Sequence, residues 1–234
     1  MVRSYCYFWM IMVGLFIGCV ALVTVRAQCG AILHVRTYKK AVSTLESGSV
    51  VLLSPRRNVR AMFEKCVCGT PVTHVGIVCV DAKGVPFLFH TLRSTGAHLE
   101  PLVSWVERMT RHGSAQVFVR RLGCSRPLDK ARVELAFSPY IGMKYSFTFW
   151  KAVMQSWWPG MEMPRAPPDG TRDRFCSELV ADVLTRLGVL NFEGSELCAR
   201  LVLPSDFWST SRLPFSPGHT LLAPEELFIS SHTA

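Results

Sequence analysis

The sequence predicts an α+β domain, a small antiparallel sheet packed against helices, carried behind an N-terminal transmembrane helix. Three stretches predict it. Val75 to Val80 (VGIVCV) and Val85 to His90 (VPFLFH) are β-branched or aromatic runs joined by Asp81-Ala82-Lys83-Gly84, the composition of a hairpin. Asp173 to Leu187 places Leu179, Val180, Val183, Leu184 and Leu187 at helical spacing and is closed by Gly188. Tyr5 to Val25 holds no charge and is long enough to cross a hydrocarbon core of roughly 30 Å as a helix.

In chain order, residues 1–27 form the apolar anchor or a signal sequence. Val25 and Ala27 are the small residues a cleavage site needs, whereas the apolar run exceeds the usual signal core and favours an uncleaved anchor. Arg3 stands before the run and Arg26, Arg36, Lys39 and Lys40 after it, which places the soluble domain on the cytoplasmic side of a single-pass membrane protein. Cleavage would instead leave a secreted or luminal chain. Residues 28–44 read as a basic linker, 45–212 as one folded domain and 213–234 as a C-terminal tail. Within the domain, Val50 to Leu53 and Gln116 to Arg120 read as further strands. Pro127 can open a helix carrying Leu128, Ala131, Leu135 and Ala136 on one side. The Trp-, Pro- and Met-rich stretch from Trp150 to Gly170 has the composition of a long loop or lid.

With 49% hydrophobic and 18% charged residues the chain is not a disordered one. Its net charge is +9, and between Arg26 and Arg60 the basic residues face a single acid, Glu46. Such a stretch beside an apolar span suits anionic lipid headgroups. Nucleic acid is the competing partner of a basic chain, but no recognition motif accompanies the charges. The nine cysteines are an odd, irregularly spaced set and a poor disulfide framework. Cys66-Val67-Cys68 lacks a second pair at zinc spacing, so no metal or organic cofactor is expected.

Two places in the sequence hold residues suited to chemistry. If Asp81-Ala82-Lys83 is a three-residue loop closed by Gly84, Val80 pairs with Gly84 and His74 lies opposite His90, on one face of the sheet. Two neighbouring imidazoles can act as a general base and as the group that fixes its tautomer. From the hairpin alone, a strand end for His90 and a surface filler for His74 are the simpler account. Cys176 falls in the first turn of the predicted helix, where free N–H groups and the helix dipole favour a thiolate and can serve a developing oxyanion. Against this, most cysteines near helices are inert small hydrophobes.

The segments Leu45 to Leu52, Thr73 to Val78 (THVGIV), Phe87 to His90 with Glu100-Pro101-Leu102, Ile141 to Phe147 (IGMKYSF), Phe175 to Val180 (FCSELV) and Leu203 to Phe207 (LPSDF) follow one another. In this order they resemble the permuted branch of the NlpC-type papain-like superfamily, which includes YiiX-like proteins, a poxviral relative and lecithin retinol acyltransferase. The resemblance covers about Leu45 to Trp208, and His before Cys is its permuted order. Ser49 and Ser146 depart from it, standing where acids are usual.

What the resemblance implies is a circularly permuted papain-like fold with Cys176 as nucleophile, His74 as base and His90 as the orienting third member. Tyr145 would line the substrate pocket. The expected activity is a thiol hydrolase or acyltransferase acting on a membrane lipid ester or amide, or on another acylated substrate. A peptidase or amidase of the same chemistry is the alternative, and a non-catalytic membrane adaptor retaining the fold is the rival from another class.

Overall fold

Alternation of apolar residues along the strands sorts the core into two layers, one on each side of a sheet. The structure is a computed structural model that describes residues 36–37, 41–56, 59–124, 128–146, 173–195 and 197–228. The strands are β1 (Arg36–Thr37), β2 (Val50–Pro55), β3 (His74–Val80), β4 (Pro86–Leu92), β5 (Gly96–Pro101), β6 (Ala115–Arg120), β7 (Leu122–Cys124), β8 (His219–Leu221) and β9 (Glu225–Phe228). The α-helices are α1 (Val59–Cys68), α2 (Leu102–Thr110), α3 (Lys130–Phe137), α4 (Cys176–Arg186) and α5 (Pro204–Ser209).

Among the described residues seven strands form one sheet in the order β1-β9-β6-β2-β3-β4-β5, and β7 pairs with β8 in a second. Every pairing is antiparallel except β1 with β9. Val50, Leu52, Val75, Ile77 and Phe89 pack on one face, against Leu179, Val180 and Val183 of α4. Val51, Val78, Leu88, Val117 and Val119 alternate to the other face and meet Leu102, Trp105 and Val106 of α2, with Ala41, Val42 and Leu45. The helical spacing read in the sequence is thus the buried stripe of α4.

The segment after residue 212 is not a tail throughout: β9 pairs with β6 inside the main sheet. Arg120 holds this end in place. Its guanidinium is buried and donates to the carbonyls of Phe207, Trp208, Leu221 and Leu222, so one cation joins the end of α5 to the approach to β9. Asp206 of the LPSDF segment accepts from the Leu203 N–H and caps α5 from within.

The apolar stretch 5–25, most of the basic linker, Pro127 and the 150–170 segment lie outside the described residues. Among the described residues no helix is long and apolar enough to cross a membrane.

Candidate active site

Four elements meet at one end of the sheet. The first residue of β3 is His74, and Cys176 is the first residue of α4. No side chain caps α4 at Phe175, which leaves its leading amides to other partners. Arg174 fixes the approach to the helix, its Nε lying 2.5 Å from Asp182 Oδ2 and 3.7 Å from Glu178 Oε1. The Ser177 hydroxyl donates to the Val202 carbonyl at 2.7 Å. The cysteine is therefore carried on a helix end held from three directions.

Cys176 is only 3% exposed, and burial pushes its thiol up to about 11. Backbone N–H groups of Val75, Ser177 and Cys176 itself oppose that shift, while the Glu64 carboxylate adds to it. The helix-terminus effect expected from the sequence is present, but desolvation outweighs it. At rest Cys176 is therefore a thiol. Val75, whose N–H reaches the sulfur, directly follows His74.

His74 Nε2 lies 2.9 Å from His90 Nδ1, and the rings meet edge to face. The pairing differs from the one the hairpin composition suggested. Val80 pairs with Pro86 and Ile77 with Phe89, so His90 faces Gly76 rather than His74. The loop is longer because the Asp81 carboxylate accepts from the N–H groups of Lys83 and Val85 while the Asp81 N–H donates to the Val85 carbonyl. A slip of two residues preserves side-chain parity, so the two histidines keep a common face and meet diagonally.

Gly76 makes that meeting possible. A Cβ there would stand 2.7 Å from Leu88 Cδ1 and 3.1 Å from His90 Cβ, both belonging to fully buried residues. Gly76→Ala is expected to destabilise the fold by about 1–3 kcal/mol through overpacking. Chemical denaturation measures it; an unchanged midpoint would mean that Leu88 and His90 yield without cost.

Beyond His90 the chain of contacts continues to residues that sequence reasoning did not assign to the site. His90 Nε2 is 2.9 Å from Glu100 Oε1. Arg108 Nη2 of α2 donates to both oxygens of Glu100, at 2.9 and 2.7 Å. The signal was available in the second hairpin, where Leu92 pairs with Gly96 across a three-residue loop, and His90 with His98, bringing Glu100 two residues along to the same face. Gly96 closes that loop with φ +72, and an added Cβ would collide with the Met143 carbonyl oxygen. Burial holds both imidazoles well below their ordinary value, each at about 3; His90 further lowers His74, while His98 and Arg108 further lower His90.

A pocket of about 240 Å³ opens on Cys176 and His74. Thr91, Arg93, Glu64 and Tyr145 are in its wall. The Arg93 guanidinium lies over the Tyr145 ring, 5.7 Å from its centroid. The Thr91 hydroxyl is buried and has no hydrogen-bond partner among the described residues. Tyr145 is set there by a bridge to Arg174, which ties the 143–146 segment to the entrance of α4.

No family model matches the sequence, and no curated protein matches it. Among solved structures the chain is similar to one described as the metalloprotein YiiX from Escherichia coli O157:H7. The two share 17% identity over 77% of this chain and 98% of the other, with a TM-score of 0.46.

His90, His98 and Glu100 offer ligand atoms within 4.8 Å of one another. They do not fit a resident cation. Arg108 already engages both Glu100 oxygens, so a metal would be held against a guanidinium, and His98 Nε2 stands 3.8 Å from the nearer oxygen. The same donors suit a relay of hydrogen bonds.

Proposed function

We propose that this chain is a cysteine-dependent acyl hydrolase or acyltransferase of the permuted papain-like kind, with Cys176 as nucleophile and His74 as general base. The observation that carries the reading is the setting of His74: its Nε2 is engaged by His90, and it shares one pocket with a thiol on a helix N-terminus. The ring nitrogen left for the sulfur proton is Nδ1. Glu100 supplies a carboxylate at one remove from His74, through His90.

In the reaction the Cys176 proton passes to His74 Nδ1 while Sγ adds to the substrate carbonyl carbon. The carbonyl π pair moves to oxygen, where backbone N–H groups at the start of α4 are the available donors. Collapse breaks the bond to the leaving group, which receives the proton from His74, and leaves a thioester on Cys176. Water, or an acceptor alcohol or amine, then attacks the thioester carbonyl while His74 removes its proton; the C–S bond breaks, the acyl product leaves, and His74 returns the proton to Cys176 Sγ.

A lipid ester or amide is the preferred substrate. The apolar 5–25 stretch and the basic residues after it favour work at an anionic bilayer. A peptide or isopeptide bond would undergo the same chemistry.

The test is acylation of the full-length chain, in detergent or vesicles, by an activated acyl probe and then by phospholipid and peptide libraries. The acyl mass is expected on Cys176 and absent in Cys176→Ala. Cys198, which is exposed, serves as the internal reference. Labelling of Cys176 no faster than Cys198 would favour the non-catalytic adaptor.

A further inference from the structure

Four side chains from β3, β4, β5 and α2 form one line, His74, His90, Glu100 and Arg108, buried at His90 and half-exposed at Arg108. The His74–His90 and His90–Glu100 contacts are each 2.9 Å, and Arg108 meets Glu100 at 2.9 and 2.7 Å. We infer that Glu100, clamped by Arg108, is a positioning residue that fixes the tautomers of both histidines and so leaves His74 Nδ1 without a hydrogen, able to accept a proton. This rests on the cysteine-hydrolase reading.

The inference follows from donor and acceptor counting. Arg108 can only donate, so a Glu100 oxygen pair held by its guanidinium acts as a carboxylate that only accepts. His90 must then present N–H at Nε2. A neutral imidazole has one N–H, so His90 Nδ1 is left as an acceptor. Only a donor can satisfy it, and the atom facing it is His74 Nε2. With its single hydrogen on Nε2, His74 has a bare Nδ1. Each step allows one alternative, and the Arg108 clamp removes it. Without the clamp the row can run in reverse, with His90 donating from Nδ1 to His74 and the His74 hydrogen placed on Nδ1, where it cannot accept a proton.

The packing supports a dedicated function for the row. His90 is fully buried and meets the Trp105 ring edge to face, with centroids 5.9 Å apart. His98 stands beside the ring, with centroids 4.8 Å apart, but its Nδ1 faces the Gly96 carbonyl at 3.0 Å and the Thr95 hydroxyl at 3.2 Å rather than His90. Glu100 is thus the only carboxylate that the described residues place against His90.

The experiment reads the tautomers directly. Full-length protein carrying 15N-histidine is solubilised at neutral pH, and two-bond proton–nitrogen correlations identify which ring nitrogen of His74 and His90 carries hydrogen. Both are expected to carry it on Nε2 alone. In Glu100→Leu, which removes the acceptor with little change of shape, the pair is expected to lose this single pattern, with His90 Nδ1–H appearing. The rate of Cys176 acylation is expected to fall about 100-fold, the lower end of a positioned base's contribution. If Glu100→Leu does not fold, Glu100→Gln serves, since its amide can present either donor or acceptor and should give a mixture of tautomers. His90 protonated on Nδ1 in the unaltered protein would overturn the inference, as would unchanged tautomers in either variant. Nε2-only signals beside an unreactive Cys176 would support the tautomer assignment and overturn the hydrolase reading, so the two failures are distinguishable.

Discussion

His74→Asn is expected to lower the rate of Cys176 acylation by about 10²–10⁴-fold, the range a positioned general base contributes. The size follows from the state of the thiol. With burial holding Cys176 at about 11, roughly one molecule in three thousand carries a thiolate at pH 7.5, so spontaneous ionisation supplies little nucleophile. The helix amides and the Val75 N–H favour the anion, yet they do not overcome desolvation. Proton removal concerted with attack avoids forming a free buried anion. Asn preserves the polarity of the wall and can still bond to His90, but it cannot accept the proton. The measurement is the acyl-probe rate on Cys176 relative to Cys198 in the same molecule, which cancels differences in probe concentration. A drop smaller than about threefold would mean that the proton leaves Cys176 by another route, and His74 would then be part of the pocket wall only.

How far the sequence disclosed this site depended on the range of the interactions involved. The α4 periodicity is local, and its buried stripe appears where the spacing placed it. Strand alternation is also local, and it gave the face shared by His74 and His90 even though their pairing is shifted by two. The shift itself came from an aspartate side chain bonding to loop amides, which composition does not reveal. Glu100 was within the quoted motif segments, yet its role needed the register of a second hairpin and a cation from α2. The raised Cys176 thiol was illegible for the same reason: desolvation depends on which distant segments pack around the start of α4, whereas the helix-end effect can be read from a few neighbours. The β9–β6 pairing joins residues more than a hundred positions apart, and no local pattern announces it.

Acid is expected to unfold this protein over the pH range in which the buried histidines must take up protons. In the folded chain His90 is held at about 3, against an ordinary value of about 6.5 in the unfolded chain. Between those values the unfolded state binds more protons, so stability is full above about pH 7 and falls as pH drops toward 3. The limiting slope is about 1.4 kcal/mol per pH unit for one histidine, and His90 alone would cost about 2 kcal/mol on going from pH 7.5 to pH 5. Burial sets the direction, and the nearby His98 and Arg108 charges add to it. His74 from β3 and His98 from β5 stand beside the ring, and the Glu100 carboxylate that would favour imidazolium is held by Arg108. His74 shifts the same way, but it lines the pocket and water can screen it, so its share is smaller. Equilibrium unfolding in denaturant from pH 7.5 to 5 measures the slope, with His90→Gln as the comparison. The variant is expected to lose about 2 kcal/mol of the pH dependence over that range even if it is less stable throughout. Equal slopes in the two proteins would mean that His90 accepts its proton within the folded state, and the burial that keeps the row neutral would not be what holds it together.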